Sequence, residues 1–138
     1  RGERMQPSPQ SGERPNRRIR VLVVDAHPAV RHAVATIVGA GADMELAGEA
    51  ASGEDALCLC DGCSPDVVLL ALSLPGLSAA QTTRIIRERW PLVQVVGMST
   101  FQEEERVPEV LRAGAVGYLL KNVSAEELAG SIRGAVAG

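Results

Sequence analysis

A doubly wound α/β domain, with five β-α units feeding one parallel sheet, is the architecture this sequence predicts. Three observations predict it. Val67-Val68-Leu69-Leu70-Ala71-Leu72 is a run of six apolar residues, β-branched at its front and followed by Pro75-Gly76. It is too short to span a membrane and reads as a strand buried on both faces. Strand-like and helix-like segments alternate from residue 19 onward, which implies parallel strands joined by right-handed crossovers. Ser78-x-x-Gln81 and Ser124-x-x-Glu127 are capping-box patterns that mark two helix starts.

Each element has its own signal. Arg20–Val24 is the first strand, and Asp25-Ala26-His27-Pro28 leaves it. Pro28 suits the first turn of a helix, where its missing N–H is not needed. That helix runs to about Ala40, with Val30, Val34, Ile37 and Val38 on one face, and Gly39 and Gly41 end it. Met44–Ala50 alternates weakly and is the second strand. Gly53–Cys60 is a short second helix closed by Asp61-Gly62, and Pro65-Asp66 leads into the central strand. Ser78 starts the third helix, with Thr82, Ile85, Ile86 and Arg89 at helical spacing, and Pro91 ends it. Val93–Met98 is the fourth strand, finishing in Ser99-Thr100. Pro108 disfavours helix at Val107, so 101–107 reads as loop or frayed turn, and the fourth helix runs from Pro108 to Ala113-Gly114. Gly117–Leu120 is the fifth strand, followed by Lys121. The last helix carries Leu128, Ile132 and Val136 at i, i+4 and i+8, and Ala137-Gly138 reads as the start of a linker.

Composition narrows the function. The 138 residues suffice for one domain, residues 19–138, plus a tail. The core must be aliphatic, because the chain has one Trp, one Tyr and one Phe. Residues 1–18 mix Pro, Ser, Gly, Gln and Arg with almost no apolar side chain, and read as a disordered basic tail. Residues 1–20 carry six arginines against two glutamates, whereas the rest carries eight basic and fifteen acidic groups. An acidic body is a poor match for DNA phosphate. The tail is short and lacks aromatics, as suits a solvated leader. No apolar signal segment is visible, and a cytoplasmic protein with reduced thiols is the expectation.

In an open parallel sheet, chemistry sits at the strand carboxyl ends. The residues there are Asp25, Ala26, Ala71, Ser99, Thr100 and Lys121. The central strand thus ends without a carboxylate, thiol or imidazole. Cys58, Cys60 and Cys63 have C-x-C-x-x-C spacing, but positions 58 and 60 diverge around a helix and no fourth ligand follows. Buried structural thiols are favoured over a zinc site. His27 reads as local capping or packing, His32 as a surface residue of the first helix, and Glu103–Glu105 as solvated surface.

These segments together resemble a bacterial two-component receiver domain of the NarL/LuxR type. The likeness covers about residues 19–137. It is carried by VLVVDAHPAVR, AGEAASGEDAL, PDVVLLALSLPG, RERWPLVQVVGMSTF, LRAGAVGYLLK and SAEELAGSIR, in that order. The resemblance implies a flavodoxin-like (βα)5 fold with strand order 2-1-3-4-5. It also implies phosphoryl transfer to an aspartate that ends the third strand. Two acids ending the first strand and the acceptor would hold Mg²⁺, while a hydroxyl ending the fourth strand and a lysine ending the fifth hold the phosphoryl oxygens.

The match is partial. Asp25 takes the first acidic position, Ser99 the hydroxyl, Lys121 the lysine and Tyr118 the aromatic switch. Ala26 stands at the second acidic position and Ala71 at the acceptor. Ser78-Ala79 replace the usual Asp-Gly after the turn, while Pro75 and Gly76 remain. A methyl group accepts no phosphoryl group and binds no metal, so Mg²⁺ binding is expected to be weak or lost. Divergence at positions 26, 71, 78 and 79, with Pro108 in the switch region, fits natural drift better than a laboratory change at Ala71 alone.

The expectation is therefore a non-enzymatic, phosphorylation-independent receiver in which Asp25 and Lys121 approach and neutralise each other. It would act by dimerising with itself or a related regulator. Val110, Leu111, Tyr118, Leu128 and Ile132 would be shared between the core and the face around the fourth helix, fifth strand and fifth helix. In this group the first and fifth helices offer another face. DNA would be met only through a helix-turn-helix domain after residue 138, and no membrane contact is expected. The alternative is a ligand-sensing receiver whose degenerate pocket holds a small molecule such as a pathway end product. The Ala- and Arg-rich composition, with that resemblance, suggests a GC-rich bacterium such as an actinobacterium.

Overall fold

A computed structural model of the chain describes residues 17–137. Five strands alternate with five helices: β1 Ile19–Val24, α1 Pro28–Ala40, β2 Met44–Ala50, α2 Gly53–Cys63, β3 Val67–Ala71, α3 Ala79–Arg89, β4 Gln94–Ser99, α4 Val107–Arg112, β5 Gly117–Leu120 and α5 Ala125–Ala137. A 3₁₀ segment, Phe101–Arg106, precedes α4. The sheet is parallel, in the order β2-β1-β3-β4-β5.

β3 lies at the centre, and all five of its residues are fully buried. Successive residues face opposite layers. Val68 and Leu70 join Leu22, Val24 and Val95 under α2, α3 and α4, where Ala56, Cys60, Ala80, Ile86 and Val110 close the layer. Val67, Leu69 and Ala71 join Val21, Val23, Val96 and Met98 under α1 and α5, against Val34, Val38, Leu128 and Ile132. Two-sided burial explains why the strand reads as a continuous apolar run rather than an alternating one.

The helix starts follow their sequence signals. Ser78 Oγ accepts from Gln81 N–H at 3.1 Å, and the Gln81 side chain accepts from Ser78 N–H at 3.0 Å. Ser124 and Glu127 make the same reciprocal pair at the start of α5. Pro28 and Pro108 each occupy the first turn of their helix, where no intrahelical N–H bond is lost.

Four features differ from expectation: the end of α2, residues 101–106, one position on α3 and the interaction face. α2 does not stop at Asp61-Gly62 but continues to Cys63. Ser64 then turns left-handed (φ 48°) ahead of Pro65. Residues 101–106 are ordered as 3₁₀ helix, started by Thr100 N–H donating to the Glu103 carboxylate at 3.0 Å, and Pro108 falls in the first turn of α4, where it breaks nothing. β2 alternates weakly because its register against β1 slips between Val21 and Leu22, which leaves Ala47 as an extra residue. Arg89 of α3 faces solvent, and Thr83 is buried in its stead. Of the five residues assigned to a shared interaction face, Val110, Leu128 and Ile132 are at most 5% exposed and belong wholly to the core. Their helical spacing records packing on the sheet. Leu111 and Tyr118 are exposed.

Residues 1–16 of the basic tail, and Gly138, lie outside the described residues. Arg17 does not float free as a tail residue would: its guanidinium pairs with Asp66 at 2.7 Å. None of the described helices is long and apolar enough to cross a membrane.

Candidate functional site

The carboxyl ends of β1, β3, β4 and β5 converge where the sequence places its candidate residues. Asp25 follows β1, and its N–H donates to Ala50 O at 3.0 Å, which extends the ladder by one residue. Its side chain is fully buried and both oxygens are engaged. Oδ1 accepts from His27 N–H at 2.9 Å and faces His27 Nδ1 at 3.0 Å. Oδ2 faces Lys121 Nζ at 2.8 Å. The Asp25 carbonyl accepts from the Arg31 guanidinium at 2.6 Å, which ties the first turn of α1 to the strand end.

Lys121 is carried to Asp25 by the β4–β5 ladder. Ser99 pairs with Leu120, and Lys121 N–H donates to Ser99 O at 2.8 Å. Burial alone would push the Asp25 carboxyl up. The Lys121 ammonium, the His27 N–H and the imidazole outweigh burial, and the group titrates below the ordinary aspartate value of 3.8.

The other candidates are not drawn into this pair. Ser99 is fully buried, and its hydroxyl donates to Thr100 O at 2.7 Å. Ala26 is exposed on the loop after β1. Ala71 has no exposed surface and packs in the layer of Met98, Val96 and Leu69. Tyr118 stands on the outer edge, 43% exposed, and its hydroxyl donates to Glu104 at 3.3 Å. Among the strand-end residues Asp25 is the one carboxylate.

Four further contacts shape the site. His27 partners Asp25, a local turn that the Asp-x-His spacing signals. Arg31 and Arg106 cap carbonyls, the latter at Leu72 O, 3.5 Å away. Neither has a sequence signal, because each depends on how a loop folds back. Glu54 accepts from Leu77 N–H at 3.2 Å and holds the turn after β3. A Cβ on Gly76, at φ +73°, would fall 2.5 Å from that carboxylate.

The cysteines form no chemical centre. Cys58 is exposed and Cys60 is buried. Burial, with the neighbouring Cys63, pushes the Cys60 thiol up to about 12. Burial also raises Cys63 against the opposing charge of Arg20. Both remain protonated at neutral pH, as packing thiols do. His32 is exposed on α1. Among the described residues no three His, Cys, Asp or Glu side chains are grouped as metal ligands.

A five-stranded parallel sheet in this order, with a strand-end Asp–Lys pair, defines the class: the chain belongs to the response regulator receiver domain family, whose model matches residues 21–133. Within that class it groups with NarL-type receivers. It is 40% identical over 121 residues to the transcriptional regulatory protein YxjL of Bacillus subtilis, covering 88% of this chain and 56% of that protein. It is 35% identical over 118 residues to the nitrate/nitrite response regulator NarL of Escherichia coli, covering 86% and 55%. The solved receiver domain of NarL from Mycobacterium tuberculosis superposes with a TM-score of 0.82 at 32% identity, covering 88% of this chain and 98% of that one. The chain thus spans about half the length of the curated relatives it matches.

Proposed function

We propose that this receiver works without phosphoryl transfer, as the regulatory module of a NarL/LuxR-type transcription regulator, and that association with a second receiver sets its output. The observation that carries this reading is the end of β3. Ala71 is a buried methyl where the family places its acceptor, and the strand-end lysine is already paired with Asp25 at 2.8 Å.

The donor set does not fit Mg²⁺. The ion takes near-octahedral oxygen ligands. The strand ends supply one carboxylate, and both its oxygens already meet donors from His27 and Lys121. An Asp–Lys pair of this kind leaves the pocket neutral without metal or phosphate, so its state is set by packing and partners.

The face around α4, β5 and α5 supports association. Leu111, Val116, Tyr118 and Val136 are all at least 39% exposed there. An open groove between β5 and α5 runs past Gln94, Val116, Tyr118 and Gly134. The partner is a second copy or a related regulator. By analogy with the relatives' greater length, DNA is met through a segment beyond residue 138. The protein is not an enzyme in this reading, and it works in the cytoplasm with its thiols reduced.

Size-exclusion light scattering with and without Mg²⁺ and beryllofluoride tests it. The expected result is one mass in all conditions and no covalent label from acetyl phosphate by intact mass. A beryllofluoride-driven change in mass, or a labelled residue in the pocket, overturns it.

A further inference from the structure

The strand-end pocket is the obvious place to seek a small ligand once its acids are gone, yet it has little room. Asp25 and Ser99 are fully buried, and the notch beside Ser99, Thr100 and Lys121 is about 140 Å³. The space lies on the other side of Lys121. A cleft of about 260 Å³ opens between α1 and the β5–α5 connection, walled by Ala33 and Ile37 on one side and Leu119, Val123 and Leu128 on the other. Lys121 is the one charged residue in its lining.

We infer that this cleft is a binding site for a small, uncharged, largely apolar molecule carrying one hydrogen-bond acceptor, such as an aryl ketone, with the acceptor at Lys121. Three observations select this occupant. The lining is apolar with a single polar group, the pattern of sites that take small organic ligands. The Lys121 ammonium has three N–H donors, and Asp25 is its ion-pair partner. The remaining donors suit a carbonyl oxygen, whereas a second anion would meet the Asp25 carboxylate behind the lysine. The volume, about 260 Å³, lies just below the usual range of ligand sites and limits the occupant to a small molecule. Such binding rests on the reading above, because a phosphoryl group at the strand ends would compete for the Lys121 ammonium.

The site shares its walls with elements that could transmit occupancy. Leu119 lies between Tyr118 on the outer face and Leu120, the ladder partner of Ser99. A ligand pressing on Leu119 and Lys121 would act on β5 directly, without passing through Ala71.

The test is titration of the ¹⁵N-labelled chain with acetophenone, ethylbenzene and benzoate, three probes of similar shape, followed by amide correlation spectra. Saturable shifts confined to α1 and residues 119–123 are expected for acetophenone. Ethylbenzene should bind about tenfold more weakly, the loss of one hydrogen bond to a charged donor, and benzoate more weakly because its carboxylate would sit beside that of Asp25. Ala33→Phe fills the cleft from its exposed side and should abolish the shifts, and Ala29→Leu provides a second filling variant if the first folds poorly. No saturable shift, shifts elsewhere, equal affinity for acetophenone and ethylbenzene, or indifference to both variants overturns the site. A fall in mass of Ala33→Phe by light scattering would mean that a second copy covers the cleft, and also overturns it. None of these outcomes changes the beryllofluoride result, so the two readings fail separately.

Discussion

Replacing Lys121 with methionine isolates the contact that stands where phosphoryl chemistry is expected. Methionine keeps most of the apolar stem and removes the ammonium, so Asp25 is left as a fully buried carboxylate without its cation. Removing one partner of a buried pair typically costs about 3–5 kcal/mol. The Lys121 side chain is 15% exposed and His27 still donates to Asp25, which places the cost near the lower end, about 3 kcal/mol. In a domain of this size that is a fall in Tm of roughly 10 °C. The double variant D25N/K121M removes the stranded charge and keeps the His27 hydrogen bond, and should lose only about 1 kcal/mol.

The pH dependence gives an internal control. Burial raises the Asp25 carboxyl, but Lys121 and His27 more than offset it, and its native pKa lies below 3.8. A depressed carboxylate contributes stability that is complete above its unfolded pKa and is lost as pH falls through the native one. Without Lys121, burial dominates and the native pKa moves up, so the penalty at neutral pH shrinks as protons are added. The deficit of K121M against the parent should therefore be largest near pH 7 and narrow toward about pH 4. Urea unfolding of the parent, both single variants and the double variant across that range is the assay. A K121M deficit under about 1 kcal/mol at neutral pH, or one that does not change with pH, would refute the reasoning.

Other predictions follow from single sites. A26D/A71D rebuilds three carboxylates at the strand ends and should make Tm rise with added Mg²⁺, while the parent melts at the same temperature with or without it. Ser78→Ala removes the capping box of α3 and should cost about 1 kcal/mol by chemical denaturation. Gly76→Ala forces a Cβ toward Glu54 at a positive φ and should cost about 1–2 kcal/mol in the same assay. Ile132→Ala opens a cavity between α5 and the sheet and should cost about 2–5 kcal/mol, with no compensating gain in association, because Ile132 has no exposed surface.

The fold was legible where local rules agree with burial. Val67–Ala71 is uniformly apolar because both faces are covered, and α1, β2 and β5 fall on their expected ranges because caps and turn residues bound them. Legibility failed where two local signals compete. Pro108 reads as a helix breaker, yet it falls in the first turn of α4, and Glu103 caps the Thr100 N–H ahead of it. At the site, the Asp25–Lys121 approach follows from charge balance across two parallel strand ends. The Arg31, Arg106 and Glu54 contacts join residues by the path of loops, which no periodicity encodes. Val110, Leu128 and Ile132, expected to serve both core and interaction face, serve the core, because apolar residues at helical spacing mark the core before they mark a partner.

Asp43 has a consequence for how the chain can be rearranged. Its carbonyl accepts from Ile19 N–H at 2.8 Å, and its carboxylate takes a two-pronged contact from Arg133. The beginning of the first strand and the last turns of the final helix therefore meet at one residue. A short flexible linker joining residues 137 and 19, with new termini cut beside Leu92 in its exposed turn, should give a circularly permuted chain that folds to the same sheet.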